Sequence, residues 1–307
     1  MSKSSNRLHL RSSTSLSLPG PLLVLDLSIF SDRPSKVPAL PLDTHINPTI
    51  NLSGDNGSLS INSPKDLTRS QSTHLRRTIM PVAVITVDAI LFDMDGTLID
   101  STPGVFKAWE TFARDYNLED SAEIAHATHG RRLYDTLKEY CHINEESKLK
   151  TEIDRFEDEV IQGGPTLLPG AIALIEQLRP ETSHRWTIVT SASDNYAPRA
   201  LSRAGIPLPR AGLVTSNDVS HGKPHPAPYL AGAQKCGVDP AKCLVVEDAI
   251  SGLKSGRSAG AQTLAVCTST TRETILKSGA DPHYLVNDLT KVSAQSVDGK
   301  IEVTIYD

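Results

Sequence analysis

Two pairs of acidic residues carry the chemistry this sequence could do. Asp93 and Asp95 follow the apolar run Ala89-Ile90-Leu91-Phe92, and Glu247 and Asp248 close the run Leu244-Val245-Val246. Both runs have the composition of buried strands, so each pair is expected at a strand's carboxyl end, where open α/β sheets hold their ligands. Like charges crowded there cost energy unless a shared proton or a cation compensates them. Together the four acids form a hard-oxygen set suited to a divalent cation. Asp and Gly are also ordinary turn residues, so a polar turn would account for Asp93-Met94-Asp95-Gly96 without any chemistry.

The elements that must position these acids follow from the hydrophobic pattern. After residue 168 strand and helix signals alternate: AIALIEQL is helical, WTIVT a strand, NYAPRALSRAG a helix, AGLVT a strand, PAPYLAGAQKCG a helix, LVVED a strand, AISGLKSGRSAG a helix and TLAVC a strand. Such alternation predicts right-handed βαβ units and a mostly parallel sheet. GKIEVTIYD alternates apolar and polar residues and is expected to add a short terminal strand. Between the first strand and this series lies a wholly helical stretch. Thr102-Pro103 reads as an N-cap followed by an N1 proline, and Val105, Trp109, Phe112 and Tyr116 then share one helix face. Leu133 with Leu137, and Leu149, Ile153, Phe156 and Val160, make two further stripes, all read as core. GGPTLLPG at 163–170 ends the stretch.

The segment FDMDGT, at 92–97, resembles the first motif of the haloacid dehalogenase superfamily, and the partners expected of that family follow in order. Ser191 with Ala192, after the WTIVT strand, matches the second motif, and Lys223 in HGKPHPAPYL the third. Glu247-Asp248 in LVVEDAISG matches the fourth. Alone, Ser191 would be an ordinary helix cap and Lys223 a solvated loop charge. The resemblance covers residues 86–290. It implies a Rossmann-like α/β core made of 81–101 and 168–307, with a helical cap domain at 102–167 that closes over the substrate. It also implies that Asp93 is the nucleophile in phosphoryl transfer and Asp95 the general acid and base. Ser191 and Lys223 would hold phosphate oxygens, and Mg2+ would be held by Asp93, the Asp95 carbonyl and Asp248, with Glu247 as a further contact.

HGRRLYDTL (129–137), TSNDVSHGKPHPAPYL (215–230) and VVEDAISGLKSGRSAG (245–260) resemble one subgroup, the fungal glycerol-phosphate and 2-deoxyglucose-6-phosphate phosphatases. The implied substrate is a small phosphorylated sugar or polyol, with His129, Arg131 and Arg132 facing it from the cap; Arg132 is named as the phosphate-gripping candidate. The other reading of these charges is that they cap the helix after Gly130. Two alternatives to a phosphatase stand: a β-phosphoglucomutase-like transferase sharing all four motifs, and a non-catalytic binding protein on the same scaffold.

Composition narrows the partners. Residues 1–80 hold 9 of the 31 basic and only 5 of the 36 acidic residues, so the net charge of -5 is carried by an acidic body. That argues against nucleic acid. PLLVLDLSIF is too short, and interrupted by Asp26, to span a bilayer. The four cysteines show no CxxC or zinc spacing and fit a reducing compartment. Residues 1–80 are rich in Ser, Pro, Asn and Thr and are expected to be a disordered extension. A transit-peptide reading of the first 25 residues would move the expected location from cytoplasm to mitochondrion, and Met80 is a second candidate start. A monomer is expected.

Overall fold

The computed structural model describes residues 81–178 and 184–307. The expectations placed on 1–80 lie outside those residues.

In chain order, β1 (Pro81–Val87) and β2 (Ala89–Phe92) are followed by the short β3 (Ile99–Asp100). Four helices come next: α1 (Thr102–Tyr116), α2 (Ser121–Ala127), α3 (Leu133–Tyr140) and α4 (Glu146–Gly163). The chain then alternates through β4 (Thr166–Leu167), α5 (Ala171–Gln177), β5 (Trp186–Val189), α6 (Ala197–Ala204), β6 (Leu213–Val214) and α7 (Ala227–Cys236). It continues with β7 (Cys243–Glu247), α8 (Ile250–Ser258), β8 (Gln262–Val266), α9 (Arg272–Lys277) and β9 (Tyr284–Val286). It closes with β10 (Val292–Val297) and β11 (Lys300–Tyr306).

Six strands form the main sheet in the order β6-β5-β2-β7-β8-β9, every pairing parallel. This is the α/β core expected from the alternation. The central strands β5, β2 and β7 are buried at every position. Covered on both faces, they read as unbroken apolar runs rather than alternating ones. From β2 the chain builds outward through β5 and β6, then returns to β7 on the other side. The crevice beyond the carboxyl ends of β2 and β7 is therefore a topological switch point, where such sheets bind ligands.

The expected terminal strand exists but does not join this sheet. β11 is the middle of a separate antiparallel sheet, β1-β11-β10. Its alternation has a physical origin: Ile301, Val303 and Ile305 are buried, while the residues between them face outward.

The helical stretch is packed by its aromatic face. Phe156 of α4 meets Trp109 and Phe112 of α1 edge-on, each with ring centroids 5.1 Å apart, a geometry that adds to the area buried. Two details depart from expectation. The residue preceding α1 is Ser101 rather than Thr102, and the Thr102 N–H is taken by the Asp100 carboxylate at 3.0 Å. The stretch is also not helical to its end, because β3 and β4 pair antiparallel. The two chain passages between sheet and helices are thereby zipped together. No helix among the described residues is long and apolar enough to cross a membrane.

Candidate active site

Three adjacent strands deliver the predicted residues to one crevice. Asp93 follows β2, Ser191 follows β5, and Glu247 ends β7 with Asp248 directly after it. Lys223 comes from the loop before α7 and reaches between the strands. Its Nζ donates to Asp93 Oδ1 at 2.5 Å, Glu247 Oε1 at 2.7 Å and the Val189 carbonyl at 3.0 Å. Only 3% of this lysine is exposed. All three donors of the ammonium are thus satisfied, which makes burial of the charge tolerable.

Glu247 is held just as completely. Besides Lys223, its Oε1 accepts from the Tyr229 hydroxyl at 2.8 Å, and its Oε2 accepts the N–H groups of Asp248 and Ala249 at 3.0 and 2.9 Å. Asp248 accepts from the Thr97 hydroxyl at 3.0 Å through Oδ1. Through Oδ2 it meets the Ser269 hydroxyl and, at 2.7 Å, His129 Nε2. Asp95 lies at the mouth of the site, its Oδ1 accepting from the Tyr196 hydroxyl at 2.9 Å. Gly96 makes this crowding possible. Its φ of +91 suits a residue without a side chain, and a Cβ there would stand 2.1 Å from Asp248 Oδ2.

Residues 87–260 match the haloacid dehalogenase-like hydrolase family. The chain belongs to that family. Among curated relatives, hexitol phosphatase A of Escherichia coli K12 is 40% identical over 178 residues, covering 57% of this chain and 81% of the relative. Glycerol-1-phosphate phosphohydrolase 2 of Saccharomyces cerevisiae is 33% identical over 207 residues, 64% of this chain and 80% of that one. 2-Deoxyglucose-6-phosphate phosphatase 2 of the same yeast is 30% identical over 227 residues, 67% and 90% respectively. Among solved structures, a hydrolase from Pseudomonas syringae superposes with a TM-score of 0.57 at 25% identity, covering 66% of this chain and 93% of that one. A β-phosphoglucomutase from Clostridium difficile gives 0.55 at 20% identity, over 66% and 92%, a likeness of fold alone.

The electrostatics of this haloacid dehalogenase-like site call for a cation. One carboxylate oxygen from each of Asp93, Glu247 and Asp248 lies within 4.8 Å of the others, and all three residues are buried. Burial pushes the Asp93 carboxyl well above the usual range, and the nearby charges of Glu247 and Asp248 add to this, against the pull of Lys223. Asp95 is also raised, chiefly by burial, with hydrogen bonds from Ser101 and Tyr196 acting in the opposite sense. For Asp248, burial is outweighed by His129, Ser269 and Thr97, which hold it below the usual value. His129 moves in turn: burial disfavours its charge, but facing Asp248 brings it up to about 9. The ammonium of Lys223 is kept protonated because Asp93 and Glu247 outweigh its burial. An all-oxygen donor set with excess buried negative charge fits a hard divalent ion such as Mg2+.

The remaining predicted residues have other occupations. The Ser191 hydroxyl donates to the Gly130 carbonyl at 2.8 Å, tying the sheet to the loop before α3, and the Ala192 N–H donates to Thr190 Oγ1 at 3.1 Å. Arg132 is not aimed into the crevice cluster. Its guanidinium grips Asp135 at 2.9 and 3.1 Å and the carbonyls of Val219 and Ser220 at 3.1 and 3.3 Å. Arg131 pairs with Glu139. Of the three charges between 129 and 132, only His129 touches the acidic cluster. Five participants were not singled out from the sequence: Thr97, Glu157, Tyr196, Tyr229 and Ser269. Glu157 did leave a signal, falling four residues after Ile153 and three before Val160, on the buried stripe of α4.

Proposed function

We propose that the chain is a phosphatase that hydrolyses a small sugar or polyol phosphate monoester through an aspartyl-phosphate on Asp93. The observation that carries this reading is the buried Lys223 ammonium 2.5 Å from Asp93 Oδ1, with Asp95 two residues on. A carboxylate so placed is a nucleophile whose charge, and that of an incoming phosphoryl group, meets a fixed cation. The names of the three curated relatives, all phosphatases of hexitol, glycerol or deoxyglucose phosphates, support the substrate class.

Asp93 attacks phosphorus, forming the acyl-phosphate bond as the ester P–O bond breaks, and Asp95 gives its proton to the departing alkoxide. The Asp95 carboxylate then takes a proton from water, whose oxygen attacks phosphorus and releases Asp93. Lys223 stays protonated throughout and neutralises phosphoryl oxygens. Ser191 would join it as a phosphate donor only by giving up its hydrogen bond to the Gly130 carbonyl. Mg2+, when bound by Asp93, Asp248 and the Asp95 carbonyl, supplies charge neutralisation on the phosphoryl group. Glu247 spends both oxygens on Lys223, Tyr229 and two backbone N–H groups, so it serves the site mainly by holding the lysine. Helices α1 to α4 are the cap in this reading, with the β3–β4 ribbon as its hinge. The four unpaired cysteines fit a reducing compartment such as the cytoplasm.

The test is phosphate release by the full chain with Mg2+ across a panel of sugar and polyol phosphates, beside Asp93→Asn. Release that the substitution and a chelator both abolish is the expected result. Conversion of a hexose 1-phosphate to the 6-phosphate with little free phosphate would make the chain a mutase. No turnover by folded protein would overturn the enzymatic reading.

A further inference from the structure

A chain of hydrogen bonds leads from helix α4 to Asp95. The Glu157 carboxylate of α4 accepts the Ser193 N–H at 2.8 Å through Oε1 and the Ser193 hydroxyl through Oε2. Ser193 Oγ in turn accepts the Tyr196 N–H at 3.2 Å. The Tyr196 hydroxyl, immediately before α6, donates to Asp95 Oδ1 at 2.9 Å. Glu157, Ser193 and Tyr196 are all buried.

We propose that Tyr196 is a positioning residue for Asp95, and that Glu157 clamps the turn on which Tyr196 stands. The inference rests on the phosphatase reading, because it assigns a part in the proton transfer to the leaving alkoxide. Asp95 sits on a tight turn at the mouth of the site, and a carboxyl there has two rotatable bonds. General acid catalysis needs its proton within hydrogen-bond reach of the leaving oxygen. A donor fixed on Oδ1 restricts the rotation of the carboxyl. Tyr196 is suited to this because its ring is anchored in the main apolar cluster, which leaves only the hydroxyl hydrogen to orient. A phenol is protonated throughout the neutral range, so the hydroxyl is a donor there by its own chemistry. The ring alone would serve the core as well if it were phenylalanine. The hydroxyl is the part that packing does not explain.

The experiment compares kcat/KM for two esters in the full chain with Mg2+: an alkyl phosphate from the panel above, and p-nitrophenyl phosphate. The alkoxide needs a proton to leave, whereas nitrophenolate departs without one, and kcat/KM reports the phosphorylation step for both. Tyr196→Phe is expected to lower the alkyl-to-aryl ratio roughly tenfold, a part of the hundredfold or more that a general acid supplies. Glu157→Ala is expected to lower the same ratio severalfold. A merely structural role would lower both esters in proportion and leave the ratio fixed. An unchanged ratio in Tyr196→Phe, with an active wild type, overturns the positioning role alone. An unchanged ratio only in Glu157→Ala overturns the clamp. A wild type inert toward both esters overturns the phosphatase reading, and this role with it.

Discussion

Gly252 of α8 leaves the space that the Glu247 carboxylate fills: a Cβ at Gly252 would stand 1.6 Å from Glu247 Oε1 and 2.0 Å from its carboxyl carbon. The helix that follows β7 therefore has to lack a side chain at its third residue for the lysine-holding carboxylate to exist where it does. Gly252→Ala displaces Glu247, and Lys223 loses one of its two acidic partners. Overpacking of this kind costs about 1–3 kcal/mol. The expected outcome is a fall in Tm together with a loss of phosphate release larger than the loss of folded protein, measured by calorimetry and steady-state assay.

Removing the lysine exposes the opposite dependence. In Lys223→Met, Asp93 and Glu247 face each other, buried and without a cation. Breaking a buried pair by deleting one partner costs about 3–5 kcal/mol. The orphaned carboxyls are relieved by taking up protons, so the Tm deficit relative to wild type should grow as the pH is raised. Activity should fall at least a hundredfold, by analogy with the loss of a single charge-stabilising donor, roughly 10²–10³. A deficit that does not vary with pH would contradict the pairing.

Glu157 gives the fold a pH dependence of definite sign. Burial pushes its carboxyl up to about 7 from an ordinary 4.5, against the pull of the Ser193 hydroxyl and N–H. The folded protein thus holds this proton more tightly than the unfolded chain does. The stability it contributes is fully present below the unfolded value and is lost as pH rises through the folded one. Glu157→Gln is neutral at every pH and should flatten the decline of Tm between those two values. Urea melts across that window read the difference directly.

Divalent metal should stabilise as well as activate. A ligand bound only by the folded state raises its stability with concentration. Mg2+ titrated into the wild type should raise Tm, and Asp248→Asn should abolish most of that rise. A chelator should reverse both the Tm gain and phosphate release. Equal Mg2+ shifts in wild type and variant would remove Asp248 from the metal site.

Much of this site was legible because its residues sit at the ends of short apolar runs. The strand β2 is four buried residues long, and a strand so marked announces where its last side chain must emerge. Asp93, Glu247 and Asp248 accordingly converge in the structure, and Lys223 reaches them from the loop before α7. What the sequence hid are contacts between distant segments. Nothing near Tyr196 indicates that its hydroxyl reaches a residue 101 positions earlier. Glu157 lies in a run of charges that reads as solvated, although its position on the α4 stripe argued for burial. At Arg132 local pairing prevails over the functional expectation: Asp135, three residues on, is its partner. The second sheet was hidden for a related reason. The alternation in β1 and β10 is weak, and both become strands by pairing with β11.

That pairing has a consequence for how the protein is made. Among the described strands, β1 emerges from the ribosome first, and β11, the one strand among them that pairs with it, emerges last. Throughout synthesis of the helices and the main sheet, the nascent chain carries a bare ladder of backbone groups flanked by Val82 and Val84, both exposed even in the finished fold. Native pairing of β1 therefore waits until β11 has left the ribosome, and until then the segment is a natural target for chaperones or for another nascent copy. Deleting residues 300–306 would make that interval permanent, stranding β1 and β10 on either side of a missing strand and turning a late folding step into a route to aggregation.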